Sequence, residues 1–170
     1  TGLFDFNEAQ NHPLWAQELY NFKDHVPETE EYGITSFVYK ALSPFDPAKI
    51  YNFLNSDWPG VVRAKGFFWI ASRPSYVGEL SQAGALVRHQ GLGKWLSAVP
   101  KERWPEDIDC DAAVKTWDSK FGDRKQEIVF IGLKSEMSEQ KIRAILNDCL
   151  VTEYDLTLEM SRKFSDPFPA

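Results

Sequence analysis

Several features are missing from this 170-residue chain, and each absence removes a class of function. There is no phosphate-binding loop. Such a loop needs G-x-x-x-x-G-K-[ST], because backbone N–H groups cradle the phosphates while Lys and a hydroxyl reach the terminal phosphate and its magnesium. The nearest stretch is Gly91-Leu92-Gly93-Lys94-Trp95, with Arg88 where the first Gly belongs and Trp95 where Ser or Thr belongs. These residues alone are therefore not expected to hydrolyse a nucleotide. The 2 cysteines, Cys110 and Cys149, lie far apart and form no C-x-x-C pair, so a structural zinc site has no support. Two cysteines of that kind fit a reducing, cytoplasmic setting, with a single disulfide as the alternative. Histidine is limited to His12, His25 and His89. No apolar run is long enough for a membrane helix, and no signal peptide opens the chain. Basic charge is not in excess. The net charge of -6 argues against a nucleic-acid partner, which calls for a basic patch.

What remains is a globular composition. The chain is 43% hydrophobic and 14% aromatic, with 6 Trp and 12 Phe, enough for a sizeable core. Its length suits one domain with an additional terminal segment. It opens on Thr1 rather than Met, so a fragment or processed product is expected.

Pro13 suits a first helical position, and Trp15, Leu19 and Phe22 follow at helical spacing, so residues 1–32 read as a helical leader and a polar linker. From Gly33 the character changes. Ile34 to Leu42 is rich in β-branched and aromatic residues and predicts a strand. Asp46-Pro47 predicts a helix start, with Ile50, Phe53 and Leu54 as its apolar stripe. Val61 to Ser72 predicts a second strand. One face carries Val62, Ala64, Gly66, Phe68 and Ile70, and the other Arg63, Lys65, Phe67 and Trp69. Val77 to His89 reads as one extended stretch bent at Ala83-Gly84. Asp111 to Trp117 reads as a short helix, and Lys125 to Leu133 as a strand. Ser138 caps a helix with Ile142, Ile145, Leu146 and Cys149 on one side. Thr152 and Asp155 suggest another capping box. The order β-α-β-β-β-α predicts an α+β fold: a small, largely antiparallel four-stranded sheet with helices packed on one face, preceded by the helical leader. The crossover helix should make the first two strands parallel, with a right-handed connection.

Longer blocks are more specific. Thr1-Gly2-Leu3-Phe4-Asp5, Pro27-Glu28-Thr29-Glu30-Glu31-Tyr32-Gly33-Ile34 and Ser36-Phe37-Val38-Tyr39 resemble the domain junction of CobW-type proteins. Trp58-Pro59-Gly60-Val61-Val62-Arg63-Ala64-Lys65-Gly66-Phe67-Phe68-Trp69 resembles that family's C-terminal domain, as do Gln82-Ala83-Gly84, Gly122-Asp123-Arg124, Gln126 to Gly132, and the ending Asp166-Pro167-Phe168-Pro169. The resemblance covers almost the whole chain. It implies a cytoplasmic family of P-loop GTPases that deliver metals, with zinc in many members, cobalt for cobalamin synthesis and nitrile hydratase activation in others. It implies that residues 1–32 finish a GTPase domain and its linker, and that 33–170 form the CobW C-terminal domain. For the full-length parent it implies GTP, magnesium and zinc or cobalt, and as partners its own N-terminal GTPase domain and a client metalloprotein. Neither nucleic acid nor membrane is implied, and a homo-oligomer is compatible. The family's Cys-x-Cys-Cys motif and its His-rich stretch are both missing here.

The candidate residues follow from these readings. Arg63, Lys65, Phe67 and Trp69 could form a docking face for the GTPase half or a client, since aromatics and Arg anchor interfaces; the alternative is a solvated sheet face. Glu28, Glu30 and Glu31 could hold a hard cation, or serve as a solvated linker. Cys110, between Asp109 and Asp111, could be a soft metal ligand, while Cys149 reads as a core thiol. His89 with a serine and Asp123 lacks the G-x-S-x-G elbow a hydrolase would need. Arg124 and Lys125 could meet phosphate from a neighbouring domain or simply sit in a surface turn. The reading that absorbs most of this is a regulatory and interaction domain coupled to nucleotide state; the alternative is a stand-alone metal-binding or protein-interaction module.

Overall fold

The structure is a computed structural model of the chain and describes residues 33–106 and 108–169. Five strands form one sheet: β1 (Ile34–Ala41), β2 (Val61–Phe68), β3 (Tyr76–Ala83), β4 (Leu86–Lys94) and β5 (Gln126–Leu133). Its order is β1-β5-β2-β3-β4, and every neighbouring pair is antiparallel. The helices are α1 (Pro47–Leu54), α2 (Cys110–Lys115), α3 (Glu139–Cys149) and α4 (Leu158–Arg162).

The α+β expectation holds, with five strands in place of four. The stretch expected to be one bent strand over 77–89 is a hairpin. Gly84 adopts φ +58, a left-handed conformation that turns the chain back between β3 and β4. β1 and β2 do run parallel, because both are antiparallel to β5, but β5 lies between them.

Local chemistry explains the helix starts. The Asp46 carboxylate accepts from the Ala48 and Lys49 N–H groups, and Pro47 opens α1. The Ser138 hydroxyl accepts from Lys141 N at the start of α3. The expected box of Thr152 and Asp155 is not used. Thr157 caps α4 through Met160 N, and Asp155 instead accepts from Thr157.

Both α1 and α3 pack on the inner face of the sheet. Ile50, Phe53 and Leu54 from α1, and Ile142, Leu146 and Cys149 from α3, meet Phe37, Tyr39, Ala64, Phe68, Leu80, Ile128 and Phe130. Each Leu, Ile and Phe side chain among them contributes on the order of 1.5–3 kcal/mol when fully buried. Ile145 falls outside the stripe and is exposed. The loop before β2 passes very close to α3's N-terminal side. A Cβ on Gly60 would lie 2.2 Å from Met137 N, and its φ is +77, so only glycine fits there.

A second, smaller core covers one end of the outer face. Phe67, Trp69, Ala71, Val77, Trp95, Phe121 and Tyr154 are buried together, with Met160 and Phe164 packed against them. The irregular segment 95–124 and the segment 151–164 supply this cover, which the sequence pattern gives little sign of.

Candidate functional site

The outer sheet face divides into a covered end and an open end. Residues directly opposite each other across antiparallel strands share a face, so the register lays out its rows. One row runs Ser36, Ile131, Arg63, Ala83, Leu86, and the next runs Val38, Val129, Lys65, Ser81, Arg88. A third runs Lys40, Glu127, Phe67, Glu79, Gln90. In the third row the acids are engaged: Glu127 faces Lys40 at 3.8 Å and Lys125 at 3.1 Å, and Glu79 accepts from Gln90 at 2.8 Å. The first two rows carry Arg63, Lys65 and Arg88 and contain no acidic residue. Arg63 and Arg88 are exposed and Lys65 is half-buried. Exposed Ile34, Leu133 and Val62 border them, and exposed Leu86 ends the first row.

Of the four residues expected to form a docking face, the structure separates two from the other two. Arg63 and Lys65 lie on the open part. Phe67 and Trp69 are core residues, 4% and 1% exposed. Burying these large rings on the covered side removes them from any surface. Trp69 is a hub: its indole donates to Leu42 O at 3.1 Å, and Phe121 and Tyr154 pack edge-on against it. The Tyr154 hydroxyl donates to Ala71 O at 2.6 Å.

Arg124 is no surface turn either. It is 7% exposed, donates to Pro74 O, Ser97 Oγ and Phe121 O, and lies over the Trp69 ring. Burial pulls its guanidinium below the ordinary pKa, and the Asp123 carboxylate opposes that shift. Asp123 in turn accepts from Leu96 N and Ser97 N. This pair fastens the 95–124 segment to the sheet, and Lys125, the other residue considered for phosphate, pairs with Glu127 at 3.1 Å. A cleft of about 480 Å³ lies beside them, between α2 and the Gly122–Lys125 turn. Its carboxylates serve the backbone: Asp109 caps α2, and Asp118 accepts from Lys120 N and Phe121 N.

Glu28, Glu30 and Glu31 lie outside the described residues, as does the side chain of Cys110, whose backbone opens α2. Cys149 is buried on α3, and burial, reinforced by Asp148, pushes its thiol up to about 11. His89 is half-buried, with its ring against Tyr51 and Phe168 rather than beside Asp123. Among the described residues, no group of three or more His, Cys, Asp and Glu is gathered as a metal site, and no helix is long and apolar enough to cross a membrane.

Residues 34–150 match the family described as the cobalamin synthesis protein cobW C-terminal domain. The chain belongs to this family. It is 42% identical over 173 residues to the zinc-regulated GTPase metalloprotein activator 1 of Dictyostelium discoideum, an alignment covering 98% of this chain and 36% of that protein. It is 28% identical over 134 residues to a zinc chaperone of Mycobacterium tuberculosis, covering 76% of this chain and 33% of the relative. The crystal structure of the Zn(II)-bound YjiA GTPase from E. coli superimposes with a TM-score of 0.48 at 19% identity, over 76% of this chain and 33% of that one. The chain thus spans about a third of the length of these relatives.

The sequence reading missed two sets of residues. One is the Asp123–Arg124 fastening, whose residues stood in the Gly122-Asp123-Arg124 block but were considered only for other roles. The other is the segment Asp166–Pro169, noted above only as part of the family resemblance and given no role. Asp166 accepts from Ser72 Oγ and from Arg73 Nε, both at 2.7 Å. A carboxylate inside a Pro-rich ending was the available signal.

Proposed function

We propose that this domain is the regulatory and interaction part of a GTP-dependent metal chaperone, and that its open outer sheet face docks the GTPase part of the same protein. The observation that carries this reading is the pair of cross-strand rows with Arg63, Lys65 and Arg88, no acid, and an apolar border. A face of that kind suits a partner surface that is acidic with apolar patches. Family membership, and relatives named for GTPase and zinc activities of which this chain spans about a third, support placing that partner in the same polypeptide. In this reading residues 1–32 finish the GTPase domain and its linker, and zinc or cobalt passes to a client metalloprotein.

The mechanism is a population shift. Nucleotide state alters the GTPase half, which then makes different contacts with the open face in its two arrangements and exposes or hides the client-docking surface. Differential contact is required, because a ligand moves an equilibrium only by its difference in affinity for the two states. The test is Arg63→Glu with Lys65→Glu in the full-length protein. The expected result is altered GTP turnover and client binding with an unchanged fold. Turnover and client binding both equal to the parent would reject the assignment.

A further inference from the structure

We infer that the groove holding Asp166–Pro169 is a peptide-recognition site, made for an acidic, proline-flanked aromatic segment of a partner protein, with the chain's own segment as resident occupant. This goes beyond the outer-face reading and does not depend on it, since the groove lies on the inner side, beside α1 and the β3–β4 hairpin.

The occupant is held as a ligand is held. Its carboxylate, its ring and two of its carbonyls are each recognised separately. Asp166 Oδ2 takes Arg73 Nε at 2.7 Å and Ser72 Oγ at 2.7 Å. The same guanidinium sends Nη1 to Pro169 O and Nη2 to Phe168 O, each at 2.8 Å. All three nitrogens of Arg73 therefore serve this one segment, in a planar fork that Lys could not reproduce. Asp166 also accepts from Phe168 N at 2.9 Å, which presets the turn between the acid and the ring. The ring of Phe168 enters an aromatic cage drawn from three elements: Tyr51 of α1 at 5.2 Å, His89 of β4 at 5.1 Å and Phe68 of β2 at 6.3 Å. A segment whose turn is preset in this way loses less freedom on entering the groove.

Two observations point past a purely structural tail. The site is larger than its occupant. A cavity of about 590 Å³ opens beside Phe168 and Pro169, bounded by Ile70, Arg73, Tyr76, His89 and Gly91. That volume is in the range of ligand pockets and would admit a larger ring or further residues. The anchor is also accessible: the Arg73 and Asp166 side chains are 35% and 19% exposed, and Phe168 is only partly buried where it packs against the main core. A partner segment with an acid two residues ahead of an aromatic would offer the same three features and fill more of the cavity.

The test uses the full chain and a fluorescent peptide with the sequence of residues 165–169. A tethered competitor acts at an effective concentration of about millimolar, so for a segment that binds the free groove with a Kd of about 0.1 mM, freeing the site should tighten peptide binding by about 10-fold. Phe168→Ala is expected to bind the peptide that much better than the parent, and adding Arg73→Lys should remove the gain. Near-UV circular dichroism checks the fold; if Phe168→Ala fails to fold, Asp166→Ala is read in the same way. A folded variant that binds no peptide would overturn the inference. So would a parent chain that dimerises by exchanging this segment, which would assign the groove to a second copy.

Discussion

Gln126 offers the sharpest test of what holds the sheet to its second core. The side chain is fully buried, and its amide spans two strand ends. Oε1 accepts from Trp69 N at 3.0 Å, while Nε2 donates to Ser43 O at 2.9 Å and to Trp69 O at 3.0 Å. Replacement by Leu keeps the volume and removes all three bonds. Trp69 O retains Phe45 N at 3.1 Å, so the damage falls on Trp69 N and Ser43 O. The buried Trp69 N stripped of its partner costs about 1–3 kcal/mol, and the half-buried Ser43 O adds less because water reaches it, which makes Gln126→Leu about 1–4 kcal/mol less stable. At this chain length that is a fall in Tm of roughly 2–4 °C per kcal/mol. Urea denaturation is the assay: the midpoint should fall with an unchanged slope. Gln126→Glu adds a signature that packing cannot mimic. A carboxylate there faces two carbonyl oxygens, so the folded state favours the neutral acid and its pKa lies above the unfolded value of about 4.3. The variant's stability relative to the parent should be best below about pH 4 and should decline as pH rises through the folded pKa. A Leu variant within about 1 kcal/mol of the parent, or a Glu variant with no such pH dependence, would refute the account of Gln126 as the clasp.

Two further predictions rest on buried titratable groups. Burial pushes Tyr39 and Tyr154 each up to about 12; Cys149 adds to the Tyr39 shift, while Arg124 opposes that of Tyr154. An unfolded tyrosine ionises near 10, so their contribution is intact below about pH 10 and is lost as pH rises toward 12. Alkaline unfolding monitored by ultraviolet difference absorbance should therefore begin above about pH 10, and Tyr39→Phe with Tyr154→Phe should shift it upward; an unshifted curve would count against these two hydroxyls. Cys149, buried and with its thiol pushed up to about 11, should resist thiol reagents at neutral pH until the protein unfolds. Measured in a Cys110→Ser background, labelling at the rate of a free thiol would contradict the burial.

The local part of the fold was readable because its signals are local. Asp46-Pro47 and Ser138 stop and start the chain through backbone bonds a few residues away, and the α3 stripe repeats at helical spacing. The fifth strand was hidden because Ala83-Gly84 reads equally as a bend or as a hairpin turn. Only pairing over Tyr76–Ala83 and Leu86–Lys94 separates the two.

The candidate face was legible by half. Period-two alternation put Arg63, Lys65 and Phe67 together, but alternation cannot say what covers a face. That depends on segments 95–124 and 151–164, which are far away in sequence and weakly patterned. Arg124 shows the same limit, since its partners Pro74 and Ser97 lie 50 and 27 residues away. The sequence by itself determined the family, the order of the strands and helices it could recognise, and the absence of a phosphate-binding loop within these residues. Tertiary structure alone decided which aromatics became core, which charges stayed on the open face, and that Asp166–Pro169 lies in a groove. The physical reason is that burial and side-chain pairing are properties of neighbours in space, and here the decisive neighbours are distant in the chain.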